Sequence, residues 1–223
     1  MRKLSLNFEI DWKSKITDLL IVIIGITIAF KLNTWNESIK TDIEAKDYIE
    51  SFYDENTVNQ ENLVSAVEFS ESNKKDIDTL KAILLTKKYS DNRIKPLMSS
   101  MMEMANYSPT TTTMQNISAS GKFDLIKDVE LRKNLINTYG AYKMTTKLET
   151  LVSDYINQYV TPFIFENVRF SDFSSIPTNF SQDPLFENIV FGYDVLLNQL
   201  IRGYKQNLEK QNLLNEKLTA ANK

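Results

Sequence analysis

The sequence predicts an all-α protein: an N-terminal transmembrane helix followed by an irregular helical bundle. Three observations lead there. Residues 19–30 read LLIVIIGITIAF, an apolar run with only Gly25 and Thr27 as mild interruptions. Five Gly and five Pro in 223 residues leave little material for the tight turns of a β architecture. Beyond residue 35, apolar residues recur at helical spacing between cap and turn signals.

The anchor comes first. Residues 19–30 alone fall short of the roughly 20 residues needed to cross about 30 Å of hydrocarbon. Extension to 16–32 takes in Asp18 and Lys31 near the ends, where the cost of a charge falls away from the midplane. Trp12 and Trp35, the only two tryptophans, bracket the segment where interfacial aromatics belong. The chain therefore divides into a cytoplasmic segment 1–15, a transmembrane anchor 16–34 and a helical soluble domain 35–223. Trp12, Asp18, Gly25 and Trp35 are the residues that mark the anchor. The alternative is a buried core helix. A cleaved signal peptide fits poorly, because Glu9 and Asp11 sit in the would-be n-region and no small-x-small site follows Phe30. Arg2, Lys3, Lys13 and Lys15 precede the span against Lys31, Lys40 and Lys46 after it, which leans towards a cytoplasmic N-terminus and an exported domain.

In the domain, Trp35, Ile39, Ile43, Phe52, Leu63 and Val67 keep roughly one helical face, predicting a long helix over 36–70. A second helix is expected over 74–86, with Ile77, Leu80, Ile83 and Leu84 on one side. A turn at 89–92 precedes a third helix over 94–106. Pro109 and the threonines at 110–113 break the chain and offer N-cap hydroxyls for a short helix to Ser120. Gly121 suits a C′ position, and 122–126 reads as an extended connector. Asp128 is an N-cap for a helix ending near Pro162. Residues 168–182 lack helical period and contain Pro177. Asp183-Pro184 then opens the last helix, carrying Ile189, Tyr193, Leu196, Leu200, Tyr204, Leu214 and Leu218.

Composition narrows the chemistry. There is no Cys and no His, so thiol nucleophiles, His-based triads and His or Cys zinc sites are impossible. A net charge of −3, with no run of more than two Lys or Arg, points away from nucleic acid. Scattered glycines supply no phosphate-cradling loop. The expectation is a non-enzyme with no catalytic residues, no metal site and no cofactor.

The stretch DLLIVIIGITIAFKLNTWNE from Asp18 resembles the anchor of a family of Bacteroidota single-pass membrane proteins of unknown function. Its exit, Asn33-Thr34-Trp35-Asn36-Glu37, matches that family's Asn-x-Trp-Asn-Glu. A second match runs through Ile117-Ser118-Ala119-Ser120-Gly121, Leu125-Ile126 and Glu130-Leu131-Arg132. The resemblance implies an anchored helical protein and assigns no activity; with the charge balance around the span, the expected place is the bacterial inner membrane, with the domain on the periplasmic side.

Four constellations remain. Asp18, at the mouth of the span, reads either as an interfacial charge or as an ion relay for an accessory subunit. Met98, Met101, Met102 and Met104 read as core packing, with a Cu(I) site as the alternative. Glu50 and Asp54 read as a solvated face. Phe163, Phe165, Phe170 and Phe173 are the candidate interaction patch, either an exposed docking surface or the fastening of a long loop. The expected role is a scaffold or interaction protein whose partners are membrane lipid and a protein partner or second copy of the chain. A ligand sensor signalling through the anchor is the other reading, and it requires a pocket of some 300 Å³ or more.

Overall fold

The structure is a computed structural model that describes residues 12–172, 174–176 and 179–222. Among these the architecture is all-helical, and the sole β feature is an isolated bridge between Val168 and Ser175. Six α-helices appear: α1 (Trp12–Leu85), α2 (Ile94–Ser99), α3 (Thr112–Ala119), α4 (Val129–Tyr155), α5 (Thr161–Asn167) and α6 (Pro184–Ala221). The chain separates into two compact units, Met1–Asp47 and Tyr48–Lys223, so α1 contributes to both.

In the first unit, one helix is long and apolar enough to cross a membrane, and none of its apolar stretch is buried. Leu19, Ile21, Ile24, Ile26 and Phe30 are all more than half exposed. Trp35, Ile39 and Ile43 are exposed as well, whereas Phe52, Leu63 and Val67 further along the same helix are buried.

The second unit is built around three long helices. Asn56 of α1 meets Gln211 and Asn215 of α6, while Asn73 meets Tyr193. Thr138 of α4 meets Lys210 and Tyr155 meets Ile189. Rising numbers on α1 and α4 pair with falling numbers on α6, so α6 runs antiparallel to both. Their buried faces follow one rule. On α1 the buried positions include the series 52, 56, 59, 63, 66, 70, 73, 77, 80 and 84, alternating steps of four and three, with 55, 67 and 83 flanking it. On α6, positions 186, 190, 193, 197, 200, 204, 207, 211, 214 and 218 do the same. This 3.5-residue period is that of supercoiled helices with interlocking side chains.

The heptad pattern explains why residues 36–85 form one unbroken helix rather than two. Ser70 and Asn73 are polar, yet they occupy stripe positions and are buried. The expected break over 71–73 is therefore absent.

Caps at the other ends agree with the sequence. Asp128 accepts hydrogen bonds from the backbone N–H groups of Glu130 and Leu131, and Asp183 accepts one from Leu185. Gly121 adopts φ 67°, and Lys122 N–H donates back to Ile117 O in the closing pattern of a helix C-terminus. Three expectations fail. The third helix covers only Ile94–Ser99, followed by a 3₁₀ turn at Ser100–Met102. Residues Phe123–Leu125 form a 3₁₀ turn rather than an extended connector. The chain also remains helical through Pro162. A π-turn at Ile156–Val160, closed by Thr161 N–H to Ile156 O, re-phases the backbone directly before the proline. Pro162 then sits in the first turn of α5, where its missing N–H costs little.

Candidate functional site

A groove of about 740 Å³ opens between α3, α4 and the segment linking the 3₁₀ turn after α2 to α3. One wall is that connector, residues 103–111. It has no secondary structure of its own, so side chains from two helices hold it. Asn59 on α1 grips Thr110 twice, donating to its carbonyl and accepting from its N–H, both at 2.8 Å. Glu149 on α4 accepts from Tyr107 N–H at 2.7 Å. α3 is fixed similarly: Glu55 on α1 accepts from the N–H of Thr113 at 2.8 Å and from its hydroxyl at 3.0 Å. A carboxylate thus does the capping expected of the threonine hydroxyls, and no side chain caps from Thr111.

The second wall is α4, with Tyr139 and Tyr142 at its base. Their hydroxyls turn into the core, Tyr139 to Glu55 and Tyr142 to Asn56 Oδ1 at 3.0 Å. Tyr107 receives a bond from Gln211 Nε2 at 2.8 Å, and Tyr204 donates to Glu149 Oε1 at 2.6 Å. The result is a polar layer across the bundle, made by Glu55, Asn56, Asn59, Thr145, Glu149, Asn207 and Gln211 at buried positions. Burial is the largest influence on these groups. It pushes the Glu149 carboxyl above its ordinary value, against the bonds from Tyr204 and Tyr107. It also raises the phenols of Tyr107, Tyr139, Tyr142 and Tyr204, with Glu55 and Glu149 adding to the effect on their partners.

The opposite end of the core is apolar and aromatic. Phe163 and Phe186 stack at 5.3 Å with an interplanar angle of 9°, and Phe180 meets Phe186 edge-on at 5.5 Å. Here the candidate patch divides. Phe163 is buried, because the helix continues past Pro162 and carries it onto the core face; it is not part of an exposed surface. Phe165 and Phe170 are exposed, with rings 5.0 Å apart. Phe173 lies outside the described residues.

The residues expected to mark an anchor, Trp12, Asp18, Gly25 and Trp35, are all exposed on α1. A Cβ on Gly25 would meet nothing within 4 Å. Met98 and Met101 are buried, and Met102 and Met104 pack against the core. Glu50 and Asp54 are exposed, whereas the adjacent Glu55 is buried. Glu55, Glu149 and the connector were not singled out from sequence. The signal was present in the stripes: Glu149 continues the series 131, 135, 138, 142, 145, 149, 152 along α4, all of it buried. A polar residue at such a position is a buried one.

These features define a helical protein with one exposed apolar N-terminal helix and a polar-layered bundle bearing a groove. The chain belongs to a family of unknown function, DUF6090, whose model matches residues 18–158. That stretch contains every residue lining the groove. No curated protein and no solved structure matches the chain.

Proposed function

We propose that this is a membrane-anchored, non-enzymatic interaction protein of the bacterial inner membrane. Residues 16–34 form a single span, and residues 35–223 form a periplasmic helical domain that engages a protein partner or a second copy of the chain. The observation that supports this reading is the wholly exposed apolar stretch of α1. A helix that is apolar all round is stable only where lipid or protein covers it. The absence of His and Cys supports a non-catalytic role. The test is membrane extraction at alkaline pH, with reporter fusions after Lys223 that are active on one side only. Retention in the membrane with an external signal is the expected result. Release into the soluble fraction would overturn the anchor, and a cytoplasmic signal would overturn the topology.

A second reading, a ligand-binding domain tethered by the anchor, is supported by the groove. Its volume of about 740 Å³ falls within the roughly 300–1,000 Å³ of small-molecule sites.

A further inference from the structure

Gly140 is the least expected residue of α4. A glycine inside a helix is destabilising relative to alanine, so it needs a reason. Gly192 and Gly203, both inside α6, have one. A Cβ on Gly192 would overlap the Tyr155 hydroxyl, and one on Gly203 would overlap Leu148. Gly140 has neither a positive φ nor a neighbour, since a Cβ there would meet nothing within 4 Å. What it does is leave space, and that space is the groove, which it lines.

The chemistry around the gap has a definite character. Tyr107, Tyr139 and Tyr142 line the groove while their hydroxyls are engaged in the core, so they offer it ring carbons. Met114 and Ile136 add apolar surface, and Ile136 is 58% exposed. Two side chains of ionisable charge line the groove besides the phenols. Glu149 is buried, and its Oε1 already accepts from Tyr107 N–H and the Tyr204 hydroxyl. Lys143 is exposed and makes no ion pair among the described residues. The groove thus offers an apolar bed and one unmatched positive charge, a turn from Gly140 on the same helix.

We propose that this groove binds a small amphipathic organic anion. Its acidic group pairs with Lys143, and its apolar body lies over Gly140 against Met114, Ile136 and Tyr139. This rests on the ligand-binding reading of the domain and not on the anchor.

The experiment uses the full chain in detergent micelles, with labelled methionine and isoleucine methyl groups followed by NMR. Three probes of one shape are titrated: 4-phenylbutyrate, its neutral amide 4-phenylbutyramide, and the cation 4-phenylbutylamine. Signals from Ile23 and Ile24 in the anchor report partition into the micelle and serve as the internal control. The expected result is a saturable shift of the Met114 and Ile136 methyls, with 4-phenylbutyrate bound about fivefold or more tighter than the amide. Lys143→Gln brings the two within twofold of each other. Gly140→Leu fills the gap and abolishes the shifts while melting no lower than wild type, because leucine is the better helix former. No saturable shift with any probe would overturn ligand binding in the groove. Equal or tighter binding of the amine or the amide would overturn the anion. Unchanged binding by Gly140→Leu would overturn the location. Each of these leaves the anchor untouched, because the anchor is judged by extraction alone.

Discussion

Helix α1 contains two stretches that obey different rules. Over 16–34 the apolar residues surround the axis and all are exposed; over 52–84 most of them lie along a buried stripe, with Tyr53, Val58, Val64 and Phe69 exposed beside it. The second stretch is the less hydrophobic of the two, yet it makes the core. Burial within the chain follows from periodicity, not from hydrophobicity: a stripe matches a neighbouring helix, and an all-round apolar surface matches a solvent of its own kind.

The sharpest test makes the same loss of bulk in both stretches. Leu80→Ala should lower the unfolding free energy of the domain by about 3 kcal/mol, through lost burial and the cavity left behind. Ile24→Ala, on an exposed surface, should leave chemical unfolding of the domain within about 0.5 kcal/mol of wild type. Ile24→Arg reverses the emphasis, costing about 2.5–3.5 kcal/mol in membrane insertion while the domain unfolds normally. Equal losses of domain stability from Leu80→Ala and Ile24→Ala would end the distinction.

Polar groups on the buried side give effects of intermediate size. Asp194 of α6 is held by Lys81 at 2.5 Å and Lys74 at 3.2 Å. Burial pushes its carboxyl up, but the hydrogen bonds and charges of the two lysines prevail and leave it below the ordinary value of 3.8. A lowered folded-state value adds stability above the unfolded value and loses it as the pH falls through the folded one. Asp194→Asn should therefore cost about 1–2 kcal/mol near neutrality and flatten the stability curve below pH 3.8. Glu149 has the opposite sign. Burial raises it above 4.5, so its contribution is full below the unfolded value and is lost as the pH rises through the folded one. Glu149→Gln should remove that decline above pH 4.5 while keeping an oxygen for Tyr107 and Tyr204. Urea unfolding of both variants across pH 2–8 separates the two arms, and a Glu149→Gln curve parallel to wild type would refute the second.

The smallest effect concerns the groove. Gly140→Ala should stabilise the domain by about 0.5–1 kcal/mol, since it adds helix propensity and meets no atom. A loss of stability in thermal melts would show that the gap is structural.

What could be read from the residues follows the same division. The helical class, the Asp128 and Asp183 caps, the Gly121 terminus and the buried methionines were all local signals, and they hold. The misreadings arose where a polar residue occupied a core position. Asn56, Asn59, Ser70 and Asn73 interrupt the apolar pattern of α1, so a search for apolar recurrence divides one helix into two and passes over the polar layer. Phe163 was misplaced because Pro162 usually ends a helix, and the π-turn that accommodates it has no residue signature. The groove was illegible for another reason. Its connector has neither periodicity nor motif, and it is held by residues about 40 to 50 positions away in sequence.

That double attachment has a mechanical consequence. Asn59 holds Thr110 from α1, and Glu149 holds Tyr107 from α4, across three residues of connector. One residue of helix advance is about 1.5 Å, more than a 2.8 Å hydrogen bond can absorb. A slide of α1 along α4 by a single residue would release one clasp or the other and shift the groove wall. The connector therefore ties the relative register of two parallel helices to the shape of the groove wall.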